Sequence, residues 1–128
     1  QMLMMLKAIF SVKWFAESNK KISAHTLQAQ KDFYEMNIQF PKKSFLYFAS
    51  LNSMVNVRQA TPRKYPLLIG CGTYDIPMER SAVELWKKNE PECSVIIFEG
   101  AGHCVNMDTP NQFNAVMEEF WLTGSCKC

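Results

Sequence analysis

The chain has 128 residues, 48% hydrophobic and 12% aromatic, which suits one domain with a packed core and excludes a disordered chain. Its net charge of +2, with basic pairs only at Lys20-Lys21, Lys42-Lys43 and Arg63-Lys64, argues against nucleic acid or an anionic membrane as partner. The five cysteines include no CxxC pair, so neither a zinc site nor a disulfide framework is expected, and reduced thiols fit a cytoplasmic protein.

The opening "QMLMMLKAIFSVKWF" is apolar but lacks a basic start and a small-residue cleavage site, and Lys7 and Lys13 interrupt it, so it does not read as a signal peptide. No run is apolar for the length a transmembrane helix needs. Residues 1–17 place Met2, Leu3, Met5, Leu6, Ile9 and Phe10 on a wide apolar face, with Lys7, Ser11 and Lys13 on a narrower polar strip, which predicts a helix. A second helix is expected from Ser23, as N-cap, to Asn37, with Leu27, Phe33, Tyr34 and Ile38 recurring at helical spacing. His25, in its polar first turn, reads as a surface or capping residue. Pro41 closes this helix, "KKSFLYFASLNSMVNV" is read as a third, and "RQATPRKY" as a polar connector. A boundary near residue 60 follows.

Beyond it the pattern changes. "PLLIGCG" and "SVIIFEG" are short apolar runs closed by glycine, as expected of strands buried on both faces of a parallel sheet. Between them "MERSAVELWKKNEPE" predicts a helix with Ala82, Val83, Leu85 and Trp86 facing inward and Pro91 past its end, which makes a βαβ unit. The last helix is signalled by a capping box, with Thr109 as N-cap, Pro110 at the first position and Gln112 reaching back. Phe113, Val116, Met117, Phe120 and Trp121 form its apolar stripe, read as core, and Gly124 its C-cap.

In parallel sheets chemistry collects beyond the carboxyl ends of the strands. The loops leaving those ends, "GCGTYDIP" and "EGAGHCVNMDTP", carry Asp75 and His103. Adjacent parallel strands lie about 4.8 Å apart, so the two side chains can meet. An aspartate bonded to a histidine fixes the tautomer of the imidazole and stabilises its cation, which is the orienter–base half of a catalytic triad. Gly70, Gly72, Gly100 and Gly102 suit the tight turns this needs. Asp108 reads as a charge stabilising a helix end, and Cys71, Cys93 and Cys104 as small apolar fillers.

Taken together, "PLLIGCGTYDIP" and "VIIFEGAGHCVNMDTPNQFNAVMEEFW" resemble the C-terminal part of the α/β-hydrolase superfamily over residues 65–122. Gly72 and Asp75 match the family's acid loop and Gly102-His103 its base loop. Asp108-Thr109-Pro110 and Phe120-Trp121 match the start and end of its last helix, and the acid-then-histidine order agrees. The resemblance implies an α/β fold in two parts: a mostly helical cap segment over residues 1–60, and over 61–128 the C-terminal part of the core, two parallel strands with flanking helices. It also implies a triad with Asp75 as acid and His103 as base, acting on a small apolar ester, thioester or amide, with no metal or organic cofactor.

The family's nucleophile sits at the centre of G-x-S-x-G, on a strand-to-helix elbow. None of the five glycines builds one: Gly70-Cys71-Gly72 lies in the acid-bearing strand. The expectation is therefore a C-terminal piece of a larger cytoplasmic serine hydrolase, consistent with a start at Gln1, and catalytically inert alone. Its partners would be the small-molecule substrate and either the missing N-terminal part or a second copy (a homodimer) covering the edge of "PLLIGC". The alternative is a non-catalytic, hydrolase-like domain that binds or self-associates.

Overall fold

The computed structural model of the protein describes residues 7, 10–51 and 64–125. Three helices, α1 (Val12–Ser23), α2 (Leu27–Ile38) and α3 (Lys42–Leu51), precede the βαβ unit β1 (Leu68–Gly72), α4 (Pro77–Asn89) and β2 (Ser94–Phe98). The one-turn α5 (Val105–Asp108) and then α6 (Pro110–Thr123) complete the order. The class is α/β, mostly helical.

The helix expected over residues 1–17 is divided at Ser11, whose extended backbone and hydroxyl cap α1 by accepting from Trp14 N at 3.3 Å. Met2, Leu3, Met5, Leu6 and Ile9 lie outside the described residues. Ser23 is not an N-cap but the last residue of α1, because Val12, Ala16 and Asn19 continue one buried stripe past residue 17. Thr26 caps α2 instead, accepting from Ala29 N at 3.2 Å. The buried line of α2 is Ala29, Phe33 and Asn37, spaced by four, so Leu27 falls off it and stays exposed. Ala16 and Ala29 lack bulk, which lets α1 and α2 pack closely. Asn19 and Asn37, buried in the same region, donate their amides to Phe15 O and Phe33 O, each at 2.7 Å. The third helix forms over its described part, where Phe45 packs on Val12 and Phe15.

β1 and β2 pair in parallel, with Leu68 beside Ser94 and Gly72 beside Phe98. Phe98, Ala101 and Val116 form the buried cluster, with Leu68, Ile96, Val105 and Phe113 packed round it. The apolar faces of the flanking helices are only partly covered. In α4 Val83 is buried, but Leu85 and Trp86 are exposed; in α6 Val116 is buried, but Trp121 is 77% exposed. Nor are the strands buried on both faces, since Ile97 is 48% exposed. Two strands span roughly 10 Å, about one helix diameter, so the helices overhang the sheet.

Gly124 ends α6 in the left-handed region, at φ +73°, with its N–H on Phe120 O at 2.8 Å. The expected capping box does not form. Residues 105–108 wind into a helical turn, so the Thr109 hydroxyl donates back to Val105 O at 3.0 Å instead of receiving an amide of α6. No helix among the described residues is long and apolar enough to cross a membrane.

Candidate active site

The loops beyond β1 and β2 are laced together by short hydrogen bonds. Thr73 donates from both its N–H and its hydroxyl to Phe98 O, at 3.0 Å each, and its hydroxyl accepts from Gly100 N at 3.1 Å. Tyr74 N donates to Ala101 O at 2.9 Å. This lacing needs glycine twice. Gly100 turns at φ +77°, and at Gly72 a Cβ would fall 2.1 Å from Ala101 O. Gly72 is required for close approach of two backbones, not for an unusual dihedral.

The lacing brings Asp75 and His103 together. Asp75 is 6% exposed, and its Oδ1 accepts from Ile76 N at 2.8 Å, which helps to orient the carboxylate. His103 Nδ1 lies 3.1 Å from Oδ1 and 3.4 Å from Oδ2. The imidazole side chain is 52% exposed, and Nε2 has no hydrogen-bond partner among the described residues. A carboxylate can only accept, so the contact selects the tautomer protonated at Nδ1 and leaves the Nε2 lone pair open. Such a pair can take a proton from an incoming hydroxyl and return it to a leaving group.

Two of the described cysteines, Cys71 and Cys104, have their thiols shifted by their surroundings. Burial, then the Asp75 carboxylate, pushes the Cys71 thiol up, with Arg80 opposing. Burial, then Asp108 and Asp75, pushes up Cys104. Both are therefore thiols and not thiolates at neutral pH. No group of three or more potential metal-ligating side chains occurs among the described residues. A groove of about 410 Å³ runs between β1 and α4, and an apolar one of about 510 Å³ along α6. Neither is lined by Asp75 or His103.

Four residues beside the pair, Asp108, His25, Thr26 and Tyr74, join its loops to the helical segment. Asp108 does more than stabilise a helix end: its carboxylate turns away from α5 and accepts from His25 N, Thr26 N, the Thr26 hydroxyl and Gly102 N, at 2.7–3.0 Å. Burial alone would raise its pKa, but these bonds outweigh it and hold the carboxyl below its usual value. His25 stacks on Tyr74, with ring centroids 3.8 Å apart and planes 10° from parallel. The signal for Asp108 was its place two residues before Pro110. For His25, Thr26 and Tyr74 no sequence signal existed, because their partners lie more than forty positions away.

No family model matches the chain, and no match to it was found among curated proteins or among solved structures. A functional reading therefore rests on this chain's own residues.

Proposed function

We propose that Asp75 and His103 are the acid and the general base of a serine-type hydrolase of the α/β-hydrolase kind. The substrate is a small, largely apolar ester, thioester or amide. The observation that carries the reading is the contact between a buried Asp75 carboxylate and His103 Nδ1, with Nε2 left open on a half-exposed ring.

In this mechanism Nε2 takes the proton of an attacking serine hydroxyl as the oxygen bonds to the substrate carbonyl carbon. The imidazolium, stabilised by Asp75, then protonates the leaving alcohol, thiol or amine. Water attacks the acyl-serine in a second cycle with the same proton traffic, and no metal or organic cofactor takes part. The serine and the oxyanion-binding amides come from a polypeptide segment outside this chain, seated along β1. Support for such a neighbour comes from the narrow sheet among the described residues, since two strands alone are marginal in water, and from the overhanging Leu85, Trp121 and Leu122. The same surfaces favour a second reading, a non-catalytic module that pairs with its own copy through β1.

The test is hydrolysis of short p-nitrophenyl esters by the full product of the gene, with Asp75→Asn and His103→Ala beside it. The expected losses are about 10⁴-fold for Asp75→Asn and about 10⁶-fold for His103→Ala. A His103→Ala protein as active as its parent would sink the assignment. An inactive parent that forms a stable dimer would favour the binding module.

A further inference from the structure

We propose that Asp108 is a positioning residue for His103, coupling the orientation of the imidazole to the seating of the turn between α1 and α2. Calling His103 a base rests on the hydrolase reading; the coupling itself does not.

The carboxylate divides its work between two parts of the fold. Oδ1 accepts from Thr26 N at 2.7 Å and from the Thr26 hydroxyl at 2.9 Å. Oδ2 accepts from Gly102 N at 2.8 Å, and His25 N is shared between the oxygens at 3.0 and 2.9 Å. Oδ1 thus holds the turn, and Oδ2 ties the turn to the residue before His103. The residue after it is tied to the same turn, since Cys104 N donates to Ser23 O at 2.7 Å. On the acid side, Tyr74, which precedes Asp75, stacks on His25. Every sequence neighbour of the pair named here therefore bears on residues 23–26.

The packing leaves no slack. A Cβ at Gly102 would lie 3.1 Å from His25 N and 3.3 Å from Asp108 Oδ2. Hydrogen bonds to an ionised carboxylate are about twice as strong as neutral ones, so this knot is stiff compared with ordinary loop contacts. The turn joins two packed helices, so it moves with them and not as a free loop. A displacement of the helical segment pulls on Gly102 and Cys104 together, and rotates His103 between them. Asp108 touches neither the imidazole nor any substrate; it acts through the backbone.

The experiment uses the 128-residue chain with ¹⁵N-labelled histidine, reading the tautomer of His103 and the solvent exchange of its Nδ1 proton. Asp108→Asn keeps one acceptor oxygen, so it cannot serve both Thr26 and Gly102, whose amides are donors. The expected result is Nδ1–H exchange faster by about tenfold, the scale of one lost charged hydrogen bond, with the tautomer preference weakened. A folded Asp108→Asn protein whose His103 signals match the parent would overturn the proposal, leaving Asp108 a purely structural clamp. Thr26→Ala, which removes one donor and keeps the carboxylate, should quicken exchange by about two- to threefold. If Asp108→Asn does not fold, an unchanged His103 in Thr26→Ala overturns the proposal instead. Ester hydrolysis is scored separately. Altered His103 signals, with no ester hydrolysis by the full product of the gene, leave the coupling standing and remove the catalytic reading, whereas unaltered signals with an active full product do the reverse.

Discussion

Replacing Gly72 by alanine should force apart the two loops that carry Asp75 and His103. The added Cβ falls 2.1 Å from Ala101 O and 2.4 Å from Gly102 O, and both obstacles are backbone. Contacts below 3.0 Å essentially never occur, so the base loop has to retreat by about 0.9 Å at Ala101. That retreat breaks the 2.9 Å bond from Tyr74 N to Ala101 O and carries His103 out of reach of Asp75. Overpacking of this kind costs about 1–3 kcal/mol, and each lost hydrogen bond about 1 kcal/mol more, so the expected destabilisation is about 3–5 kcal/mol. Gly100→Ala provides the contrast. Its Cβ meets nothing within 4 Å, and only its φ of +77° is strained, which costs about 1–2 kcal/mol. Urea denaturation followed by circular dichroism ranks the two, and the His103 Nδ1 proton resonance reports the separation. A Gly100→Ala protein destabilised as much as Gly72→Ala would refute the close-approach argument. So would a Gly72→Ala protein that keeps the His103 resonance.

Two further outcomes follow from burial and charge. Because the Asp108 carboxyl is held below its usual value, its contribution to stability is complete above the unfolded value, roughly pH 4, and is lost as pH falls through the folded value. The stability gap between the parent and Asp108→Asn should therefore be full at pH 6 and shrink below pH 4; a gap that widens there would contradict the hydrogen-bond assignment. Phe98→Ala, at a buried position against Ala101 and Val116, should cost about 3–5 kcal/mol. Trp121→Ala, at a position 77% exposed, should cost about 0.5 kcal/mol or less in this chain, and equal costs in urea melts would refute the core assignment.

Sequence by itself determined the elements whose causes are local. Apolar runs closed by glycine gave β1 and β2, the spacing of Ala82 and Val83 with Pro91 beyond gave α4, and Gly124 gave the end of α6 through its left-handed backbone. It also foresaw the contact of Asp75 with His103, because each sits just past a strand and parallel strands bring such positions together. Local grammar misled at Ser23, which suits an N-cap but ends α1, because the buried stripe of α1 runs on to Asn19 and leaves Thr26 to cap α2. Only the tertiary structure decided how much of each apolar face is covered, since a sheet of two strands is narrower than the stripes of α4 and α6 that lie on it. Only it gave Asp108 its role. A carboxylate takes its function from the donors that surround it, and those of Asp108 come from Gly102, nearby in sequence, and from His25 and Thr26, more than eighty positions away.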